Sequence, residues 1–231
     1  MISELLVVEC SMFTGIIEAI GHVKAIQHHA KDITISIDAG KLDLTDVKIG
    51  DSIAHNGVCL TVTKLNDSGY DVDLSLETLK CSGFALIKPG FAINLEKSMQ
   101  LKARFGGHIV SGHVDGMGEI TSISAQGNSR EYWVKTPDNL AKYIALKGSI
   151  TVDGISLTIN EIDGTSFKLT IIPHTSEQTI MSHYQVGTQV NLEVDLIARY
   201  LERLMLGENA SKTKNNKTST MDLLARSGFI N

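Results

Sequence analysis

Residues 12–26 read MFTGIIEAIGHVKAI, and residues 109–123 read IVSGHVDGMGEITSI. The pairing recurs downstream. DSIAHNGVCLTV (Asp51–Val62) is answered by GSITVDGISLTI (Gly148–Ile159), and FAINLE (Phe91–Glu96) by TQVNLEV (Thr188–Val194). All three pairs lie at one constant offset of 97 residues, with no gap. A fixed offset across three blocks marks a tandem duplication of one domain. The period is too long for a solenoid, whose units run about 20–50 residues. The chain of 231 residues therefore divides into two units, each large enough for one modest core. A small molecule held by one copy has a related site in the other, and the polar differences between copies are the places to look for chemistry.

Bulk properties narrow the partners. Hydrophobic residues make up 42% and charged residues 20% of the chain, as in an ordinary soluble protein. A formal charge of −5 argues against nucleic acid or an anionic membrane surface as the main partner. No stretch is long enough to span a bilayer. Cys10, Cys59 and Cys81 have no regular spacing, which is no disulfide framework and suits a reducing cytoplasm. The short apolar run near the N-terminus follows Glu4, where a signal peptide carries Lys or Arg.

Short segments alternate with period two. Ile33, Ile35 and Ile37 alternate with Thr34 and Ser36; Val58, Leu60 and Val62 with Cys59, Thr61 and Thr63; Tyr70, Val72 and Leu74 with Asp71 and Asp73. Ile155, Leu157, Ile159, Phe167, Leu169 and Ile171 repeat this in the second half. These are half-buried antiparallel strands. Asn56-Gly57 and Asp153-Gly154 fall at equivalent places between strands and favour type I′ hairpin turns. With no helical run inside either repeat, each half reads as a small closed β-barrel, which leaves no exposed edge. The alternation also assigns faces: Val58, Leu60 and Val62 fill a barrel, and Cys59 and Thr61 point outward, as do Ser156 and Thr158. The candidate site is thus an outer wall, which becomes a pocket only when something covers it.

After Asp195 the period changes. In DLIARYLERLML, Leu196, Ile197, Tyr200, Leu201, Leu204 and Met205 form one stripe and Arg199, Glu202 and Arg203 another face: an amphipathic helix capped by Asp195 and ended at Gly207. It belongs to neither repeat, so it serves assembly or docks on its own barrel. ENASKTKNNKTST reads as a polar linker, and MDLLARSGF as a short terminal helix.

Four sets of residues stand out. Cys59 is the cysteine at a solvent-side strand position, and its counterpart is Ser156; a thiol in one copy and a hydroxyl in the other suggest similar pockets with unequal jobs, or an inert residue chosen for fit. His108 and His113 follow a double glycine. Their spacing of five puts them on opposite faces of a strand, which disfavours a metal and suits a general base or proton shuttle. Glu77-Thr78 and His174-Thr175 end equivalent strands, so the shared Thr suggests a ligand contact. Asp195 caps the helix, which alone would explain it.

Together these residues resemble the riboflavin synthase family. The matching pieces are MFTG, DSIAHNGVCLTVT, GGHIVSGHVDG, KGSITVDGISLTIN, IIPHT and VNLEVDLIARYLERL, in the family's order from Met12 to about Leu206. The resemblance implies an all-β fold of two tandem six-stranded Greek-key antiparallel barrels, at 12–108 and 109–194. An extension (1–11) precedes them; a trimerisation helix (195–207) and a tail (208–231) follow. It implies dismutation of two 6,7-dimethyl-8-ribityllumazine molecules by four-carbon transfer, giving riboflavin and a ribitylaminopyrimidinedione, with no cofactor or metal. It implies a homotrimer whose active site lies between the N-terminal barrel of one subunit and the C-terminal barrel of the next, and it leaves association with lumazine synthase open. Holding both reactants in register removes much of the entropic cost of a bimolecular step.

On the same resemblance, Cys59, Ser52, His108, His113, Phe13, Thr158 and Asp195 fall on catalytic-region positions. His113 or His108 would be the base, Cys59 or Ser52 would add to or orient the acceptor, and Phe13 would position a ring. Substrate contacts in the first barrel would be Gly15, Ile16 and Ile17, then Cys59, Leu60 and Thr61, then Asp73, Leu74, Ser75, Leu76, Glu77 and Thr78. The second would use Gly112, His113 and Val114, Lys147, then Ser156, Leu157 and Thr158, then Thr170, Ile171, Ile172, Pro173, His174 and Thr175. Two departures stand out: eleven residues precede the Met-Phe-Thr-Gly that usually opens the family, and His174 stands where many relatives carry Glu. The alternatives are a non-catalytic lumazine- or flavin-binding antenna protein, which would lack the paired histidines and the long helix, and a flavin-reductase barrel, for which no Gly-rich βαβ unit follows.

Overall fold

The computed structural model describes residues 11–29, 32–207 and Ala210. Cys10, the rest of the extension and the linker and helix expected over 208–231 lie outside the described residues, Ser11 and Ala210 excepted.

Twelve strands form two closed antiparallel barrels. The first comprises β1 (Ala19–His28), β2 (Asp32–Asp38), β3 (Ser52–His55), β4 (Val58–Asn66), β5 (Gly69–Ser75) and β6 (Ala92–Lys97). The second comprises β7 (Gly116–Gln126), β8 (Ser129–Lys135), β9 (Ser149–Val152), β10 (Ile155–Asp163), β11 (Ser166–Ile171) and β12 (Gln189–Val194). Around the first barrel the order is β1-β2-β5-β4-β3-β6, and the second repeats it with β7-β8-β11-β10-β9-β12. Even the irregularities are duplicated. The register shifts between Val62 and Lys64 in β4 and between Ile159 and Glu161 in β10, equivalent bulges that sharpen the bend each small barrel needs.

The alternation read from the sequence sets the faces. Val58, Leu60 and Val62 are buried, whereas Thr61 is exposed and Cys59 is half-buried. The hairpin turns have φ of 46° and 80° at Asn56-Gly57, and 46° and 79° at Asp153-Gly154, the paired positive values of type I′.

One expectation needs correction: the repeats do contain helical turns. α1 (Leu76–Cys81), α2 (Asp138–Ala141) and α3 (Pro173–Glu177) join strands, with 3₁₀ turns at Gly83–Leu86 and Ile180–His183. Each is too short to print a 3.6-residue period. Side-chain caps hold three of them: Ser75 Oγ accepts from Thr78 N, and Ser82 and Thr179 cap the two 3₁₀ turns, whereas α2 and α3 have no side-chain cap.

The barrels meet about an approximate two-fold axis. Asn94 of β6 donates from Nδ2 to the Asp153 carbonyl (2.9 Å) and accepts at Oδ1 from Ile180 N (2.9 Å). Its counterpart Asn191 donates to the Asn56 carbonyl (2.9 Å) and accepts from Gly83 N (2.8 Å). At the axis the two turns touch: a Cβ on Gly57 would lie 2.8 Å from Gly154 N, and one on Gly154 2.7 Å from Gly57 N. Each barrel thus satisfies buried polar groups of the other, so truncating Asn94 or Asn191 would leave buried donors and acceptors unpaired at about 1–3 kcal/mol apiece.

The last element, α4 (Leu196–Leu206), inverts the usual amphipathic arrangement. Its polar side lies on its own barrel: Arg199 pairs with Asp115 and lies over the Tyr143 ring, and Glu202 accepts from Lys142 and Tyr143. Four of its apolar residues, Ile197, Tyr200, Leu201 and Leu204, face outward, with Tyr200 62% and Leu204 75% exposed.

Candidate functional site

Each barrel is entered by a short extended strap, residues 13–17 for the first and 110–114 for the second. The straps are exchanged. Gly15 lies against Ser156 of the second barrel, with Ser156 N donating to the Gly15 carbonyl (2.8 Å). Gly112 lies against Cys59 of the first, with Cys59 N donating to the Gly112 carbonyl (2.9 Å). Ile17 packs on the core of the second barrel, and Val114 on that of the first. This corrects the grouping read from the resemblance: Gly15, Ile16 and Ile17 serve the Ser156 wall, and Gly112, His113 and Val114 the Cys59 wall. Both glycines have positive φ (75° and 78°), and a Cβ on either would sit 2.6 Å from the Cβ of the residue it faces. No other residue fits at that approach.

At the Cys59 wall, strand pairing sets Ser52 opposite Thr61 and Ala54 opposite Cys59. Ser11 Oγ donates to Ser52 Oγ (2.7 Å), and both hydroxyls reach the thiol. Burial pushes the Cys59 thiol up, the two hydroxyls oppose this, and the nearby Glu193 adds to the rise. The group is therefore a neutral thiol near pH 7 rather than a ready thiolate. Phe13 is fully buried with Ala54 and Val110, and packs against Cys59. It backs the strap and the thiol from beneath, and presents no ring on the open side of the wall.

At the Ser156 wall, His108 stands where Ser11 stands in the first copy. Its Nδ1 is 2.7 Å from Ser156 Oγ, while Nε2 is buried with no partner among the described residues. Burial pushes the imidazole down, against the opposing charge of Asp195, so it is neutral near pH 7 and able to take a proton. Asp195 itself caps α4 by accepting from Ile197 N (2.9 Å). His113 is exposed on the strap over the Cys59 wall. The two histidines are thus divided, one to each wall.

The other expected contacts fall into two groups. Thr61, Thr158 and Thr170 are exposed on the walls, and Lys147, also exposed, donates its N–H to the Ile159 carbonyl just beyond Thr158. Asp73 accepts from Thr34 Oγ1 (2.7 Å). Ile16, Ser75, Ile172, Pro173 and His174 are exposed, and Thr78 and Thr175 partly so; Thr78 is also engaged in capping α1. By contrast Leu60, Leu74 and Ile171 point into the barrels, and Leu157 packs on the second core, so these can meet a ligand only through backbone. Leu76 and Glu77 fall in α1, but their side chains lie outside what is described.

Sequence reasoning missed the groups that hold the straps. Glu96 accepts at Oε1 from Thr14 N (2.7 Å) and Thr14 Oγ1 (2.9 Å), and at Oε2 from Gly15 N (3.0 Å). Glu193 repeats this with Ser111 N (2.7 Å), Ser111 Oγ (2.7 Å) and Gly112 N (3.1 Å). Burial pushes Glu96 up to about 7 despite these bonds, and pushes Glu193 up as well. The duplicated NLE carries both glutamates, and because they are identical in the two copies, differences between copies do not mark them.

Two cavities stand out among the described residues, and one, of about 580 Å³, lies between the barrels, lined by Phe84, Met117, Asp153 and Tyr184 among others. None of the expected substrate residues borders it. The other, of about 540 Å³, borders only Ile16 of that set. Cys59, Thr61, Ser156 and Thr158 border neither of these two cavities.

Comparison with known proteins fits this geometry. The family described as "Lumazine binding domain" matches twice, at residues 14–98 and 111–195. Riboflavin synthase of Photobacterium phosphoreum is 51% identical over 219 residues, covering 95% of this chain and all of the relative. That of Bacillus subtilis (strain 168) is 42% identical over 218 residues, covering 94% of this chain and all of the relative. Among solved structures, LumP complexed with 6,7-dimethyl-8-(1'-D-ribityl) lumazine superposes with a TM-score of 0.71, and LumP complexed with riboflavin with 0.73. Both are 23% identical and cover 79% of this chain and 98% of the LumP chain, a likeness of fold.

Proposed function

The chain belongs to the riboflavin synthase family, and from that premise we propose that each of its two walls takes one molecule of 6,7-dimethyl-8-ribityllumazine. It is an enzyme of the riboflavin synthase type, dismutating two such molecules by four-carbon transfer into riboflavin and 5-amino-6-(D-ribitylamino)uracil. One observation carries the division of labour. The same strap-and-wall frame occurs twice, sharing Ser52 and Ser149 but with different groups set beside them: Ser11 and Cys59 on one wall, His108 and Ser156 on the other. Two identical reactants that must play unequal parts need two like sites with unlike chemistry.

The reaction deprotonates a methyl group of the donor and attacks the acceptor ring. Neutral His108 beside Ser156, and exposed His113 over the Cys59 wall, give each site one imidazole for moving a proton. A neutral Cys59 thiol held by Ser52 suits orienting or adding to the acceptor once its own proton is taken. The open walls are completed by another subunit, Cys59 wall against Ser156 wall, in a homotrimer held by α4. The outward Ile197, Tyr200, Leu201 and Leu204 support this reading, since a helix that turns its charges onto its own barrel has left its apolar face for a partner. Cys59 forms no disulfide among the described residues, which suits a reducing cytoplasm. Association with lumazine synthase, the further partner suggested by the family, is tested by co-sedimentation of the two purified proteins.

The decisive experiment incubates the purified protein with the lumazine alone. The expected result is one riboflavin formed for two lumazines consumed, with no added cofactor or metal. Tight binding without turnover would overturn the enzymatic reading in favour of an antenna protein.

A further inference from the structure

Gly15 and Gly112 each bridge two barrels through a single residue. The Gly15 amide is held by Glu96 of the first barrel, and its carbonyl by Ser156 N of the second. The Gly112 amide is held by Glu193 of the second barrel, and its carbonyl by Cys59 N of the first. The glutamates are buried, at 5% and 4% exposure, and each spends both carboxylate oxygens on strap donors. Burying a carboxylate is costly, and joining a strap to a barrel does not require one. What the carboxylate supplies is geometry. Its planar, acceptor-only pair of oxygens meets successive amides of one strap, and so fixes the height of the glycine over the opposite wall.

We infer that Glu96 and Glu193 are positioning residues that act across the barrel boundary: Glu193 sets the ligand site at the Cys59 wall, and Glu96 sets the site at the Ser156 wall. The inference rests on the proposed use of the two walls as lumazine sites. It assigns each wall a control residue in the other copy. Neither glutamate touches the ligand; each acts through its strap. In Glu193→Gln the amide oxygen can keep the Ser111 bonds only by turning the NH₂ donors toward Gly112 N–H, and Glu96→Gln faces the same conflict at Gly15.

The test uses the full chain with riboflavin as probe. Binding is followed by quenching of riboflavin fluorescence, and occupancy of the Cys59 wall by protection of the Cys59-containing peptide from iodoacetamide, read by mass spectrometry. Glu193→Gln is expected to raise the riboflavin needed to protect Cys59 by about tenfold or more, as befits loss of a charge-assisted bond. Glu96→Gln should leave that protection near the parent value and weaken the other class of sites in the titration. Ser111→Ala and Thr14→Val each remove one hydroxyl bond while keeping the carboxylate. They should show the same wall selectivity, smaller in size, even if a Gln variant fails to fold. Equal weakening of both sites by every variant, or Cys59 protection indifferent to both Glu193→Gln and Ser111→Ala, would overturn the inference. A parent protein that neither quenches riboflavin nor protects Cys59 would instead sink the two-wall reading, and the inference with it.

Discussion

Replacing Gly112 by Ala tests the strap-and-wall reading most directly. The added Cβ would stand 2.6 Å from Cys59 Cβ, 3.0 Å from the Phe13 ring and 3.1 Å from Cys59 N, where ordinary contacts begin at 3.4 Å. Neither Phe13 nor Cys59 can yield, since one is fully buried and the other is fixed in β4, so the strap must retreat by about 1 Å, a misplacement that costs on the order of 100-fold in rate at a reacting centre. The substitution also places Ala at φ +78°, a backbone penalty of about 1–2 kcal/mol that has nothing to do with the site. Gly127→Ala isolates that penalty, because Gly127 has φ +58° in a hairpin turn with nothing within 4 Å of the added atom. Urea melts and steady-state turnover of lumazine would be measured for both variants. The expected result is a comparable backbone cost in each, somewhat larger for Gly112→Ala, and a drop in kcat of about two orders of magnitude for Gly112→Ala alone. If Gly112→Ala lost stability but turned over as fast as Gly127→Ala, the strap would not be part of the site.

Further outcomes follow from other parts of the chain. His55 is fully buried between Ile53 O and the Tyr70 hydroxyl, and burial lowers its pKa from 6.5 to about 4. The unfolded chain therefore binds a proton that the folded chain refuses, and about 3 kcal/mol of stability present above pH 6.5 is lost as pH falls to 4. The His55→Val/Tyr70→Phe double variant, which copies Val152 and Phe167 of the second barrel, should lack that loss in urea melts across the same range; parallel curves would refute it. Cys59→Ser keeps a small polar group beside Ser52, and should slow turnover by about tenfold or more with little change in melting temperature, whereas an unchanged rate would remove the thiol from the mechanism. Leu204→Glu places a charge on the outward face of α4, and should give smaller particles by sedimentation that still bind riboflavin but barely turn over; a fully active monomer would refute the shared site.

What was legible in the sequence, and what was not, separates along one physical line. Alternation with period two is a statement about faces, so it places Cys59, Thr61, Ser156 and Thr158 on outer walls from the sequence alone. The constant offset is a statement about equivalence, and it is the same whether a strap folds onto its own barrel or onto its twin. The exchange of Gly15 and Gly112 was therefore invisible to it. Searching for differences between copies found Cys59/Ser156 and Ile16/His113, but it was bound to miss Glu96/Glu193 and Asn94/Asn191, which are identical because both halves need the same frame. Nor does divergence by itself mark chemistry: His55 and Tyr70 against Val152 and Phe167 is as sharp a difference as any on the walls, yet it lies sealed in a core. The frame is carried by what the copies share; on the proposed function, the reaction is carried by what they do not, but only at positions that the strand alternation sends outward. The two signals decide the site together, and neither does so alone.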